Sequence, residues 1–150
     1  MVGVMGIPRL QRFFEATASL ETDRDDLKRY CRFVNEKIAG LMIRAQAVAE
    51  ENGRDIIWLS DIPITRGLQE CIQHFQQMHE QLEVTALLEH LAGLSQLHLD
   101  YSLETREALG DISGGLSVAL AGTFRILDPQ LRHPHGEQWE RCFQIFSLLV

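Results

Sequence analysis

Basic side chains gather near the starts of the first two helices that the sequence predicts, where their chemistry suits phosphate. They are Arg9, Arg12, Arg24, Lys28, Arg29 and Arg32. Guanidinium and ammonium groups near helix N-termini bind the phosphate oxygens of a nucleic acid and position it without reading its bases. An alternative interpretation stays open, in which these residues form a solvated helix face and pair with neighbouring carboxylates, namely Asp23, Asp25, Asp26 and Glu36.

Arg54 and Asp61 stand on either side of the connection that follows the second predicted helix. An arginine leaving one helix can reach a carboxylate at the start of the next and hold the loop by a charge-assisted pair. We therefore predict that these two side chains form a structural loop clamp. Arg54 is also the seventh candidate DNA contact, because we expect it to lie near the other basic residues.

The charge of the chain is negative and unevenly distributed. The formal net charge is −7. Residues 1–78 carry 10 Lys/Arg against 11 Asp/Glu, whereas residues 79–150 carry 4 against 10. Because nucleic-acid binding draws on clustered basic charge, any contact with a duplex should use the first half. About three or four phosphate contacts would give weak and steeply salt-dependent binding.

The chain offers no arrangement typical of a metal site, a cofactor site or a catalytic centre. Cys31, Cys71 and Cys142 are widely separated and form no CxxC pair, so we expect reduced thiols. His133 and His135 flank a proline, and no acid or thiol stands at a ligand interval from them. Ser113 and Ser117 have no plausible histidine neighbour on their helix face. We therefore predict a protein without cofactors that is not an enzyme.

The positions of these residues depend on helices, which apolar residues at steps of three and four predict along most of the chain. Each half has the order short helix, long helix, short helix. In residues 1–78 the predicted helices are Arg9–Ser19, Asp25–Glu51 and one from Ser60 or Asp61 to Met78. In residues 79–150 they are Glu83–Leu94, Leu103–Leu127 and His135–Leu149.

Local signals support the two long helices. Thr22 or Asp23 can cap the first, and Asn52-Gly53 can end it. Ser102 can cap the second, whose four glycines predict a close helix crossing with Gly40 opposite. A helix of about 25 residues cannot bury its apolar stripe against two short helices alone. Each half therefore needs a partner, and the other half supplies it within one domain of residues 1–150.

The segment 52–62 resembles the second loop and third-helix start of archaeal histones, in which Gly-Arg is followed by an Asp seven residues after the Arg. Arg54 and Asp61 match this spacing. The whole chain also resembles an uncharacterised bacterial family of single-chain histone-fold doublets. The matching segments are 4–8, 52–55, 61–65, 114–120 and 126–129. The resemblance implies two tandem histone folds that form an intramolecular pseudodimer.

Two departures from DNA-binding histones concern function. Archaeal histones usually place Lys-Thr after the loop Gly-Arg, whereas Asp55 and Ile56 stand here, and a carboxylate repels phosphate. In the second half Arg132 is followed seven residues later by Trp139, although Glu140 could replace the aspartate. Two functions stay open: a histone-like protein that binds double-stranded DNA weakly through its N-terminal half, and an acidic module that binds an unidentified protein instead.

The sequence also predicts where the chain resides. No apolar run approaches the roughly 20 residues that cross a bilayer. Residues 1–8 lack the pattern of a signal peptide. We therefore expect a cytoplasmic protein that lies on the nucleoid if it binds DNA and that does not contact a membrane. We expect its unit to be one monomeric chain.

Overall fold

The structure is a computed structural model that describes residues 6–82 and 97–149, with side chains described for residues 7–78 and 97–149. Its elements are α1 (Gly6–Ala18), α2 (Arg24–Glu51), β1 (Ile56–Ile57), a 3-10 helix (Leu59–Asp61), α3 (Arg66–Leu82), β2 (Asp100–Tyr101), α4 (Leu103–Leu127) and α5 (Gly136–Leu149). This part of the chain is mostly helical, which confirms the all-α class. The predicted helix over Glu83–Leu94 lies outside the described residues.

Capping explains where α2 begins and ends. The Asp23 carboxylate accepts a hydrogen bond from the Asp26 backbone N–H (2.8 Å), and the Asp26 carboxylate accepts one from the Asp23 N–H (3.0 Å). This reciprocal pair is a capping box. At the other end Asn52 caps α2, and Gly53 follows with a φ of 71°, a left-handed conformation that favours glycine.

The start of α3 differs from the prediction. The chain makes a single 3-10 turn over Leu59–Asp61 and then runs without helix until α3 begins at Arg66. Pro63 disfavours helical backbone at the preceding residue, and Ile62 is extended at φ −74° and ψ 125°. The Thr65 hydroxyl, rather than Ser60 or Asp61, accepts from the first turn of α3 through the Leu68 N–H (3.2 Å).

Two glycines of α4 allow α3 to pack closely against it. A Cβ atom on Gly114 would overlap the Phe75 ring, and one on Gly115 would overlap the Ile72 side chain. The close approach is therefore between α3 and α4. The prediction that Gly40 of α2 lies opposite these glycines is wrong. Gly40 is exposed and has open space where a side chain would stand.

Residues from both predicted halves build one core. The Tyr30 hydroxyl of α2 donates to the Ser117 hydroxyl of α4 at 2.6 Å, and Ser117 in turn donates to the Ser113 carbonyl at 2.7 Å. The Trp139 ring of α5 is completely buried and makes edge contacts with Phe14 of α1 and Phe124 of α4. Helices from both predicted halves thus contribute side chains to one apolar core. None of the described helices is long and apolar enough to cross a membrane.

Candidate nucleic-acid interface at two loop junctions

Segments from the two predicted halves meet in two places. Junction A comprises residues 20–32 and 125–135, and junction B comprises residues 50–61 and 97–107. Each junction joins the segment that precedes the long helix of one half to the segment that follows the long helix of the other half.

Backbone hydrogen bonds hold junction B together. β1 and β2 form a parallel pair in which Ile56 is opposite Asp100 and Ile57 is opposite Tyr101. The Ser102 N–H extends this pair by donating to the Ile57 carbonyl at 2.9 Å. Parallel pairing needs no local turn, so it joins segments that are distant in the sequence.

A buried glutamine fixes the loop that enters β2. The Gln46 side chain of α2 is buried, and its Oε1 atom accepts from the backbone N–H groups of His98 (2.9 Å) and Leu99 (3.0 Å). The Nε2 atom of His98 also contacts a Glu50 carboxylate oxygen. One amide oxygen therefore satisfies two backbone donors of the other half.

Arg54 and Asp61 form a bidentate pair in junction B. The Nη1 and Nη2 atoms of Arg54 lie 2.6 and 2.7 Å from the two Asp61 carboxylate oxygens. The Trp58 backbone N–H donates to the same carboxylate (2.8 Å), and the Trp58 ring centroid lies 3.8 Å from Arg54 Cζ. The hydrogen bonds from Arg54 hold the pKa of Asp61 below its usual value, and the same contact raises the pKa of Arg54. Arg54 Nη1 also donates to the Ile56 carbonyl at 3.3 Å, so the Asp61 carboxylate, the Trp58 ring and this carbonyl together occupy the guanidinium.

Junction A has fewer contacts between the halves. The Glu21 backbone N–H donates to the Arg132 carbonyl at 2.7 Å, and the Glu21 carboxylate lies 3.1 Å from His133 Nε2. Both side chains of this contact are more than half exposed. The Gln11 side-chain amide of α1 donates to the Thr22 carbonyl at 2.9 Å.

Three of the predicted DNA contacts form a ladder along the first turns of α2. Arg24, Lys28 and Arg32 follow one another at four-residue steps, are exposed, and make no ion pair with another described residue. Arg29 is also exposed, and its Nη1 atom lies 4.0 Å from the Asp26 carboxylate. Burial is the main cause that raises the pKa of Asp26.

The other three predicted contacts lie elsewhere. Arg9 is half-buried and Arg12 is exposed, both on α1. The helix α2 has 28 residues and is therefore about 40 Å long. Arg54 follows its C-terminal end, so Arg54 lies far from the Arg24 ladder at its N-terminal end. The seven predicted residues consequently do not form one surface.

The charges of the two junctions differ. Junction A contains six Lys/Arg against five Asp/Glu, whereas junction B contains two against seven. The charged residues of junction A are Arg24, Lys28, Arg29, Arg32, Arg125 and Arg132 with Glu21, Asp23, Asp25, Asp26 and Asp128. Those of junction B are Arg54 and Arg106 with Glu50, Glu51, Asp55, Asp61, Asp100, Glu104 and Glu107.

Nearly the whole chain matches one protein family. Residues 10–147 match the model of the family described as "Domain of unknown function (DUF1931)". The chain belongs to the DUF1931 family. A relative from Aquifex aeolicus (strain VF5), described as "Uncharacterized protein", is 26% identical over 145 residues, which are 97% of this chain and 84% of the relative.

Two crystal structures resemble the fold of this DUF1931 chain. One, from Thermus thermophilus, is 38% identical, with a TM-score of 0.86 over 96% of this chain and 97% of that one. The other, a protein from Aquifex aeolicus, is 26% identical, with a TM-score of 0.85 over 97% of this chain and 95% of that one. The helical arrangement described above therefore recurs in experimental structures.

The cysteines of this DUF1931 chain are poor nucleophiles. Burial raises the pKa of the Cys31 and Cys142 thiols to about 11, and it also raises the pKa of Cys71. All three are therefore protonated thiols at neutral pH, when a nucleophilic cysteine must be a thiolate. Within residues 7–78 and 97–149, whose side chains are described, no group of three or more His, Cys, Asp or Glu could hold a metal ion.

Sequence reasoning missed two contributors to the junctions of the DUF1931 chain. Gln46 reads as an ordinary polar position on a long helix, and its two acceptor contacts lie 52 and 53 residues away. The Arg132 carbonyl is a backbone group and carries no sequence signal. The strand β1, in contrast, lies in the short apolar run that follows Arg54, a composition typical of an extended segment.

Proposed function

We propose that this DUF1931 chain is a histone-fold pseudodimer that binds duplex DNA weakly and without sequence preference through junction A and α1. Its first half is residues 1–78 and its second half is residues 79–150. The proposal places the protein in the cytoplasm, on the nucleoid, and includes no catalytic step.

The crossed pairing of the two halves supports the histone-fold assignment. In a histone dimer the loop before the long helix of one half lies beside the loop after the long helix of the other. Glu21 with Arg132, and Ile57 with Ser102, are hydrogen-bonded pairs of this kind. The same relation thus occurs at both ends of the described fold, with the halves exchanging roles. This crossed pairing is the observation that carries the proposal.

The Arg24 ladder supports junction A as the DNA contact. Cations that make no ion pair within the protein can neutralise phosphate without first losing a partner. Arg24 and Lys28 lie in the first turns of α2, where the positive end of the helix dipole adds to their attraction for an anion. Because the ladder offers about three contacts, affinity should fall steeply with salt.

Junction B is a poor phosphate site by the same criteria. Its Arg54 guanidinium already binds both oxygens of the Asp61 carboxylate. Asp55 is exposed directly after it, and the surrounding segments carry an excess of carboxylates that repel phosphate. The proposal therefore gives Arg54 the role of the loop clamp and removes it from the DNA-binding set.

Fluorescence anisotropy of a labelled duplex, titrated with protein at low and moderate salt, tests the proposal. The triple variant Arg24→Gln, Lys28→Gln and Arg32→Gln should bind about tenfold more weakly at low salt and show a shallower salt dependence. The matched control is Arg44→Gln, Arg66→Gln and Arg106→Gln, which removes the same charge from exposed positions outside junction A. Its affinity should change only slightly.

Two results would contradict the DNA proposal. One is the absence of saturable binding at low salt, and the other is an equal loss of affinity in the ladder variant and the matched control. The first would favour the second candidate function, an acidic module that binds a protein partner. The excess of carboxylates and the exposed Trp58 ring in junction B support that alternative.

A further inference from the structure

Each of the two junctions carries a pair of exposed apolar side chains. Among the described residues, four of the eight large hydrophobic side chains that are markedly exposed lie there. Trp58 (49% exposed) and Leu103 (69%) belong to junction B, whereas Ile126 (83%) and Leu127 (49%) belong to junction A. Exposed apolar groups with polar surroundings often mark contacts with another protein.

Junction B holds its exposed apolar side chains on rigid backbone. Trp58 follows β1, its backbone N–H is bound by Asp61, and its ring packs on the Arg54 guanidinium. Leu103 is the first residue of α4, directly after Ser102, which hydrogen-bonds to the Ile57 carbonyl. Both residues therefore extend from the same end of the β1–β2 pair. A large aromatic ring that is already ordered loses little entropy on binding.

Junction A presents the complementary features. Ile126 and Leu127 are the last two residues of α4, directly before the loop whose Arg132 carbonyl accepts from Glu21. The exposed cations Arg24 and Lys28 lie across this contact, at the start of α2. Junction A has a small excess of cations and junction B a large excess of carboxylates. The two surfaces therefore attract each other, whereas net charge weakly disfavours contact of junction A with its own copy and strongly disfavours contact of junction B with its own copy.

We propose that junction B of one chain docks on junction A of a second copy, so that the protein associates with itself head to tail. Trp58 and Leu103 pack against Ile126 and Leu127 of the neighbouring copy, and the carboxylates of junction B face the cations of junction A. Such a contact joins two different surfaces, so every bound pair keeps one free surface of each kind and further copies can add.

This association is independent of the proposed DNA binding, but it covers the same junction A and should compete with it. The associated fraction should increase with protein concentration by mass action. Because charge attraction contributes, association should also weaken as salt is added. Sedimentation velocity of the full chain without DNA, at low and moderate salt, measures both dependences. The pseudodimer is then the unit from which larger assemblies form.

Two variants distinguish a head-to-tail contact from a symmetric one. The A variant carries Ile126→Ser and Leu127→Ser, and the B variant carries Trp58→Ser and Leu103→Ser. Each variant alone should associate at least tenfold more weakly than the wild type, because one of the two surfaces is lost. An equimolar mixture should form a 1:1 dimer that does not grow, through the intact B surface of one and the intact A surface of the other.

A third variant, Leu148→Ser with Leu149→Ser, removes exposed apolar groups outside both junctions and should associate like the wild type. Circular dichroism of each variant checks that the helices persist. A wild type that stays monomeric at every concentration and salt would overturn the proposal. So would a mixture of the A and B variants that stays monomeric while the wild type associates. Because no variant removes a cation, DNA titration of the same samples reports on the proposed function separately.

Discussion

Junctions A and B each join the segment before one long helix to the segment after the other long helix, yet they are built differently. Junction B combines a parallel strand pair, a buried Gln46 amide that binds two backbone donors, and the bidentate Arg54–Asp61 pair. Junction A has one backbone hydrogen bond between the halves and an exposed Glu21–His133 pair. The two junctions therefore differ in internal order, and junction B is the better ordered of the two.

The use of charge shows the same division. In junction B the guanidinium of Arg54 is bound by a carboxylate of the same chain, which orders the loop. In junction A the cations of the Arg24 ladder make no ion pair of this kind with the described residues. A cation that stabilises the fold is less available to a ligand, so the better-ordered junction is the poorer candidate for phosphate.

The largest expected effect concerns the glutamine that binds the loop of junction B. Gln46→Met should lower the free energy of unfolding by about 2–4 kcal/mol, because it leaves the backbone N–H groups of residues 98 and 99 without an acceptor. Gln11→Met in α1 is the control: it removes a donor to the single Thr22 carbonyl, a contact within residues 1–78, and should cost about 0.5–1.5 kcal/mol. Urea denaturation of the two variants measures both values. Equal losses would mean that the Gln46 contacts add no more stability than one ordinary side-chain hydrogen bond.

The next comparison uses two aspartates whose pKa values shift in opposite directions. The pKa of Asp61 in junction B is lowered in the folded state, so its carboxylate stabilises the fold at neutral pH and this contribution is lost as pH falls below about 4. The pKa of Asp26 in junction A is raised by burial, so its ionised form costs stability at neutral pH and the cost disappears on acidification.

Asp61→Asn should therefore destabilise the protein clearly at pH 7 and much less at about pH 3. Asp26→Asn should be neutral or slightly stabilising at pH 7, because an amide oxygen can still accept from the Asp23 N–H without carrying charge. Unfolding curves of both variants against wild type at the two pH values test the signs. The contrast fails if both variants change stability in the same direction at pH 7.

The smallest expected effect is a gain of DNA affinity at junction B. Asp55→Lys replaces an exposed carboxylate by a cation next to the loop clamp. One added phosphate contact should steepen the dependence of log K on log salt by about 0.9 and raise affinity a few-fold at low salt. Anisotropy titrations over a salt series measure the slope. An unchanged slope would mean that junction B does not approach the duplex even when a cation replaces the Asp55 carboxylate.

Local signals predicted the parts of the fold whose causes are local. α4 runs from Leu103 to Leu127 as predicted, because an apolar stripe and the Ser102 cap lie within its own sequence. The start of α3 was predicted too early, since Ser60 and Asp61 resemble caps while Pro63 delays the helix. The Arg54–Asp61 contact lies at the position that the spacing indicates.

Long-range contacts could not be predicted from a single sequence. The acceptor role of Gln46 and the Glu21–Arg132 hydrogen bond depend on how distant segments meet, and their residue types carry no mark of it. The glycines of α4 did indicate a close approach, but not that α3 rather than α2 makes it. Charge asymmetry, in contrast, was visible in the sequence. Its assignment to two separate surfaces required the fold.

The most direct test of DNA binding at junction A is an NMR titration of the labelled protein with a short DNA duplex. If junction A is the binding surface, the backbone amides of Arg24, Lys28 and Arg132 shift as DNA is added, while the Trp58 indole N–H and the Asp55 amide stay unchanged. Shifts at Trp58 and Asp55 as large as those at Arg24 would contradict the division between the two junctions, and so would a spectrum that DNA leaves unaltered.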